Sequence, residues 1–276
     1  MIHLSPFDEI TLREKGLTIS QIEEQLRFFE TGFPFLEIVR PATVDDGILK
    51  IQENEKKKLI ALLDKYLYKS KIEIMKFVPA SGAASRMFKD LYEFLESKEE
   101  IPSNGVICQF FSEIDKFAFY DLLNETCVKN TGKNIQMLIH EKEYKIIIEN
   151  LLNERGLNYG SLPKGLLLFH TYPDEKRTPV QEHLVEGVLY TVNAQKEVNI
   201  HFTVSPQHKA LFEKHISEVK EKYEKKFKVH YSVSFSEQKP STDTIAVDMN
   251  NQPIRENGKL VFRPGGHGAL IENLND

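Results

Sequence analysis

Cysteine is scarce. There are two in 276 residues, Cys108 and Cys127, with no Cys-x-x-Cys spacing. That excludes a disulfide framework and makes a reducing cytoplasm the expected setting. Neither thiol has a histidine partner in sequence, so both read as ordinary buried residues. Long apolar runs are missing as well, and no stretch approaches the ~18 residues of a membrane span. The start, MIHLSPFDEITLREKG, places a proline and acids where a secretory signal needs a basic end and an apolar run. A basic excess is also absent. Against 41 acids there are 36 lysines and arginines, a net charge of -5, so neither nucleic acid nor membrane is an expected partner. The locally basic KEKYEKKFK at residues 220–228 has helical spacing and reads as a solvated face. Internal repeats and low-complexity linkers are lacking too.

What is present suffices for a substantial core, since 41% of residues are apolar. Residues 1–70 read as an N-terminal helical segment. In ISQIEEQLRFF the apolar Ile19, Ile22, Leu26 and Phe29 recur at helical spacing behind a candidate cap, Ser20. A connector with Pro34 and Pro41 follows, then a helix from Asn54. Residues 71–276 read as an α/β domain. KIEIMKFVPA resembles a buried parallel strand, and SRMFKDLYEFLES shows a helix face. Residues 99–158 read as a helical insertion, its mostly helical signal carried by FFSEIDKFAFYDLL and IQMLIHEKEYKIIIENLLNE. Beyond it, LPKGLLLFHTY, EVNIHFTVS and KVHYSVSFSEQ read as strands, and TIAVD and KLVFRP as shorter ones. TPVQEHLVEGVLYTV starts a helix with Pro179 and a Thr178/Gln181 capping box. Strands alternating with helices predict a Rossmann-like, open and mainly parallel sheet with right-handed crossovers.

Ligands of such sheets bind on loops leaving the carboxyl ends of strands. Ser81, Gly82, Ala83, Ala84 and Ser85 occupy that position. Their small side chains would let backbone amides face an anion, the next helix N-terminus would add positive partial charge, and Arg86 would supply a fork of donors. The loop lacks the Gly-Lys-Ser/Thr ending of a P-loop and the three spaced glycines of a dinucleotide fingerprint. A second candidate is FRPGGHGAL, where Gly265, Gly266 and Gly268 expose backbone on both sides of His267. A third groups Lys164 with His170, Arg177, Glu182 and His183; a His/Glu metal site there lacks a recognised ligand spacing.

Taken in order, these elements resemble the UDP-sugar pyrophosphorylases, especially the UDP-N-acetylglucosamine type, of the nucleotide-diphospho-sugar transferase (glycosyltransferase-A-like) fold. PASGAASRMFK matches their signature loop in length and in its Ser85-Arg86-Met87 ending, with Ala83 and Ala84 where the enzymes usually keep another glycine. Pro163-Lys164-Gly165 matches the turn that supplies their phosphate-binding lysine. VSFSEQ nominates Gln238 as the residue that reads uracil, and Gly266-His267-Gly268 matches the motif beside base and sugar. GFPFLEIVRPAT, FVPASGAASRMFK, PKGLLLFHTY, RTPVQEHLVEG and FRPGGHGAL are, over nearly the full chain, similar to a bacterial family catalogued as a domain of unknown function, DUF4301.

The pyrophosphorylase resemblance implies uridylyl transfer from UTP to a sugar 1-phosphate, with Arg86 and Lys164 as the catalytic cations. It implies Mg²⁺ as well, held in those enzymes by an aspartate on a strand beyond the glycine-rich motif. ALIENLND at the end of the sequence reads as the first turns of a helix. The chain is therefore expected to be C-terminally truncated, the N-terminal part of a longer protein whose metal aspartate lies beyond Asp276. Two other readings use the same residues: a non-catalytic nucleotide or nucleotide-sugar binding module, and a glycosyltransferase. The latter would want an Asp-x-Asp pair, which is absent. The sequence leaves the sugar and the oligomeric state open.

Overall fold

Hydroxyl caps start the first two helices. At α1 (Pro6–Lys15) the Ser5 hydroxyl accepts from the Asp8 amide while the Asp8 carboxylate takes the Ser5 amide, and Gly16 closes the helix at φ 73°. At α2 (Ile19–Thr31) the cap is Thr18, not Ser20. Thr18 has the extended backbone a cap requires and pairs with Gln21, so Ser20 lies inside the first turn. The connector forms only a two-residue pair, β1 (Thr43–Val44) with β2 (Gly47–Ile48), before α3 (Glu53–Lys69).

The computed structural model describes residues 4–69, 73–82, 84–103 and 105–275. It divides into two units, Met1–Ile72 with Glu237–Asp276, and Glu73–Ser236.

The second of these begins with β3 (Met75–Pro79) and passes through a small-residue loop into α4 (Lys89–Glu96). Then come α5 (Gly105–Ser112), α6 (Tyr120–Thr131), α7 (Ile135–His140) and α8 (Tyr144–Leu152). FFSEIDKFAFYDLL is not one helix: α5 stops at Ser112, a 3-10 turn spans Ile114–Lys116, and α6 starts at Tyr120. Ile114 and Phe119 are thereby both turned into a helical core with Leu123, Leu138 and Ile148. Cys127 is buried there, which pushes its thiol up to about 11. Cys108, expected inside, is exposed. Ile107 and Phe111 are the buried pair of α5, and Cys108 lies one residue off their face.

LPKGLLLFHTY is also not a strand. It makes a 3-10 turn at Lys164–Leu166, and only β4 (His170–Thr171) pairs, antiparallel with β5 (Lys176–Arg177). The apolar run is divided between two cores: Leu166 packs beside the sheet, whereas Leu167 is fully buried among the helices. The next elements are α9 (Pro179–Tyr190), β6 (Glu197–Val204), α10 (Lys209–Phe227) and β7 (His230–Glu237). As expected, Thr178 and Gln181 form the capping box of α9, with Pro179 in its first turn.

The sheet is mixed with helices as an α/β fold requires, but it is small: three strands in the order β3-β6-β7. β3 and β6 run parallel, Met75 opposite Asn199 through Pro79 opposite Thr203. Contacts of β7 advance the same way along β6, from His230 at Lys196 to Ser236 at Thr203. Val198, Ile200, Phe202 and Val204 alternate onto one fully buried face under α9 and α10. Gly187 lets α9 approach closely; a Cβ there would lie 3.0 Å from Val198 and 3.1 Å from Ile200. On the other face His201 stacks on Phe77 and bonds Ser234 and Ser236.

The chain then returns to the first unit with β8 (Thr244–Ile245), β9 (Arg255–Glu256), β10 (Lys259–Leu260), β11 (Phe262–Arg263) and α11 (Ile271–Leu274). Leu12, Leu17, Ile22, Ile245 and Leu260 make its core. Asp8, 1% exposed, receives both Arg255 Nη1 and Nη2 at 2.8 Å. This hydrogen-bonded guanidinium outweighs burial and holds Asp8 down at about 2 from 3.8. A depressed carboxylate stabilises the fold above its unfolded value and loses that contribution as pH falls through the folded one. Asp8→Asn is therefore expected to cost roughly 2 kcal/mol near neutrality. In urea titrations at stepped pH the variant should also lose its share of the decline between 3.8 and 2. An unchanged acid profile would refute the assignment.

Candidate functional site

The carboxyl ends of β3 and β6 bring three loops together. Parallel pairing continues one residue past β3, where the Ala80 amide donates to the Thr203 carbonyl at 2.8 Å. The first loop then turns through Ser81 and Gly82 to Ala84 and a 3-10 turn at Ser85–Phe88 that leads into α4. Ala84 is fully buried with Phe88 and Leu91, so its methyl faces the helical core. Ala83 lies outside the described residues, as do the side chains of Ser85 and Arg86.

The second loop carries Lys164. Its amide donates to the Gly82 carbonyl at 3.4 Å, which joins the Pro163-Lys164-Gly165 turn to the small-residue loop. The turn is seated by Gly165, where a Cβ would lie 2.8 Å from the Phe212 ring. The Lys164 side chain is exposed. No ion pair to it is found among the described residues.

The third loop follows β6 and contains a residue the sequence reading passed over. His208 Nδ1 is 2.7 Å from Ser205 Oγ, and His208 Nε2 is 3.1 Å from the Ser161 carbonyl. A carbonyl only accepts, so Nε2 carries the hydrogen; in the neutral ring Nδ1 then accepts from the Ser205 hydroxyl. Burial pushes His208 below the ordinary histidine range, and its bond to the Ser161 carbonyl partly offsets that. The available signal was the Ser-Pro-Gln-His spacing at a strand exit, which reads simply as a helix entry.

The other expected residues separate. Gln238 and Gly265 to Gly268 belong to the first unit. There the Gln238 side-chain amide donates to the Gly265 carbonyl at 3.1 Å, and Gly266, His267 and Gly268 are exposed. Gly265 is tightly seated, since a Cβ would meet the Thr242 carbonyl oxygen at 2.6 Å. The group around His170 is an ion-pair network. Arg177 lies over Tyr172 at 4.1 Å, and its Nε and Nη1 bond Glu175 at 2.7 Å and Glu182 at 3.3 Å. His183 packs against Phe202 and Glu186 instead, and His170 is exposed. Among the described residues no three His, Cys, Asp or Glu side chains gather as a metal site. Much of the lysine run is solvated as expected, but Lys222 and Lys226 reach Glu175.

Among the described residues no helix is long and apolar enough to cross a membrane. Residues 6–276 match the family described as Domain of unknown function (DUF4301). No curated protein and no solved structure matches the chain.

Proposed function

The chain belongs to the DUF4301 family, whose description assigns no chemistry, and from its site we propose that it binds the phosphates of a nucleotide between the loop after β3 and Lys164. The observation that carries this is the bond from the Lys164 amide to the Gly82 carbonyl. It sets an exposed cation beside a small-residue loop at the carboxyl ends of parallel strands, where α/β sheets hold ligands. Lys164 offers a point charge to phosphate oxygens.

The resemblance to UDP-sugar pyrophosphorylases gives the finer reading: a nucleotide-diphospho-sugar transferase fold carrying out uridylyl transfer. A sugar 1-phosphate attacks the α-phosphate of UTP and pyrophosphate leaves. Such transfer is largely positioning and charge stabilisation, which the loop amides, Arg86 and Lys164 are suited to supply. Mg²⁺ travelling with a triphosphate asks for one or two carboxylates. Among the described residues no three His, Cys, Asp or Glu side chains gather to hold it.

Titrating the wild-type chain and Lys164→Ala with UTP, by calorimetry, tests the reading. The variant is expected to bind about tenfold more weakly, as loss of one charge-assisted hydrogen bond implies. A wild-type protein that UTP and nucleotide-sugars neither bind nor stabilise would remove the reading altogether.

A further inference from the structure

Among the described residues four helix entrances carry a serine or threonine, and three use it alike. Ser5, Thr18 and Thr178 each accept a hydrogen bond from the backbone amide three residues on. Ser205 has the same extended backbone, φ -79° and ψ 144°, and a proline after it, yet makes no such cap. Its hydroxyl is directed to the His208 ring at 2.7 Å. The Ser161 carbonyl fixes the tautomer, so the serine proton points at Nδ1 and the oxygen lone pairs remain available. A hydroxyl bonded to a neutral imidazole that a third group orients is the arrangement of an activated oxygen.

This pair adjoins the proposed phosphate site through two contacts. The Ser161 carbonyl that holds His208 lies on the loop of Lys164, and the Lys164 amide is bonded to Gly82. Pro79 opposite Thr203 is the last register pair of β3 and β6, and Ser205 follows two residues later. We propose that Ser205 and His208 form a proton relay serving the acceptor, a phosphate monoester that arrives as its protonated monoanion. The proposal rests on the nucleotidyl-transfer reading above.

A phosphate monoester has its second ionisation near pH ~6, so a fraction of it reaches the site protonated and poorly nucleophilic. In the step, that phosphate gives its proton to Ser205 Oγ as the Ser205 hydroxyl proton passes to His208 Nδ1. The freed phosphate oxygen forms a bond to the α-phosphorus, and the bond from that phosphorus to the pyrophosphate oxygen breaks. Pyrophosphate leaves with the electron pair and takes the proton back from His208. Ser205 touches the substrate; His208 acts through it and is a positioning residue and proton store. Lys209, the residue after His208, and Lys164 on the Ser161 loop are the cations nearest in sequence to the two groups that hold the ring. Residues 80–82 and Ala84, the described part of the loop after β3, bring no charge. Burial keeps the ring neutral, as an acceptor must be.

The test is the pH profile of pyrophosphate release from UTP with whichever sugar 1-phosphate turns over, for wild type, Ser205→Ala, Ser205→Thr and His208→Gln. Wild-type kcat/KM should fall on the acid side as His208 protonates. Ser205→Ala and His208→Gln should lose that limb together with about a hundredfold in rate, and Ser205→Thr should retain both. Folded variants that keep the wild-type profile and rate would overturn the relay. If no sugar 1-phosphate turns over, nucleotidyl transfer fails, and imidazole nitrogen NMR reads the pair directly with inorganic phosphate as probe. An Nε2–H tautomer that takes up a proton when phosphate is added, and does not in Ser205→Ala, supports the relay. An Nδ1–H tautomer, or a ring indifferent to phosphate, overturns it.

Discussion

Gly165→Val is expected to cost about 3 kcal/mol, the upper end for overpacking a filled core, and to remove UTP binding with it. The added Cβ would lie 2.8 and 2.9 Å from two Phe212 ring atoms and 3.4 Å from a Val180 methyl. Phe212 is fully buried on α10 and Val180 is 1% exposed on α9, so neither can retreat into solvent. The strain is relieved only if the Lys164–Leu166 turn lifts, which breaks the 3.4 Å bond between the Lys164 amide and Gly82. Affinity for UTP should therefore fall at least as far as in Lys164→Ala, and the thermal midpoint by roughly 9 °C. Gly105→Ala is the control, because a methyl there meets nothing within 4 Å. A Gly165→Val protein with an unchanged midpoint and normal UTP affinity would show that the turn is not what holds Lys164 in place.

Glu175→Gln should have a comparable effect by a different route. The Glu175 side chain is only 7% exposed. Burial alone would raise its pKa, but hydrogen bonds from Lys222, Arg177 and Lys226 prevail and bring it from 4.5 to about 2. The folded carboxylate is thus the depressed one. Its contribution is present above the unfolded value and disappears as pH falls from 4.5 through about 2. Over that interval linkage gives about 3 kcal/mol. Glutamine retains the shape and removes the charge, leaving Arg177, itself 8% exposed, with Glu182 as its carboxylate. Denaturant melts at neutral pH should show the loss, and the difference from wild type should vanish toward pH 2. If the difference persists undiminished into acid, the network does not act through the ionised Glu175.

How much of this was legible in the sequence depended on whether local rules or distant neighbours decide a segment. Thr178, Pro179 and Gln181 specify a helix start by themselves, and α9 begins there. EVNIHFTV alternates strictly, and β6 spans those residues. KGLLLFH could not be read in that way. Its leucines look like one strand but serve two cores, and only the surrounding helices determine which leucine goes where. Cys108 was misplaced for a related reason, since Ile107 and Phe111 take the buried side of α5. At the candidate site, the place of the small-residue loop at the exit of β3 was legible because strand, loop and helix are adjacent in sequence. Ala84 was readable as small, though not as a core methyl. His208 was hidden because its meaning lies in the Ser161 carbonyl, 47 residues away.

The course of the chain around the site has a mechanical consequence. The helical core runs from Ala84 to Leu167, so its chain leaves the sheet at the loop after β3 and returns at the Lys164 turn. The Lys164 amide and the Gly82 carbonyl fasten these two crossings to each other, and His208 fastens the return to the end of β6. Another tie, between Lys176 and Asp121, is an exposed ion pair of small value. Both crossings of the chain between sheet and helical core, and the end of β6, therefore meet in one cluster, so a change at any one of these three loops is felt at the other two.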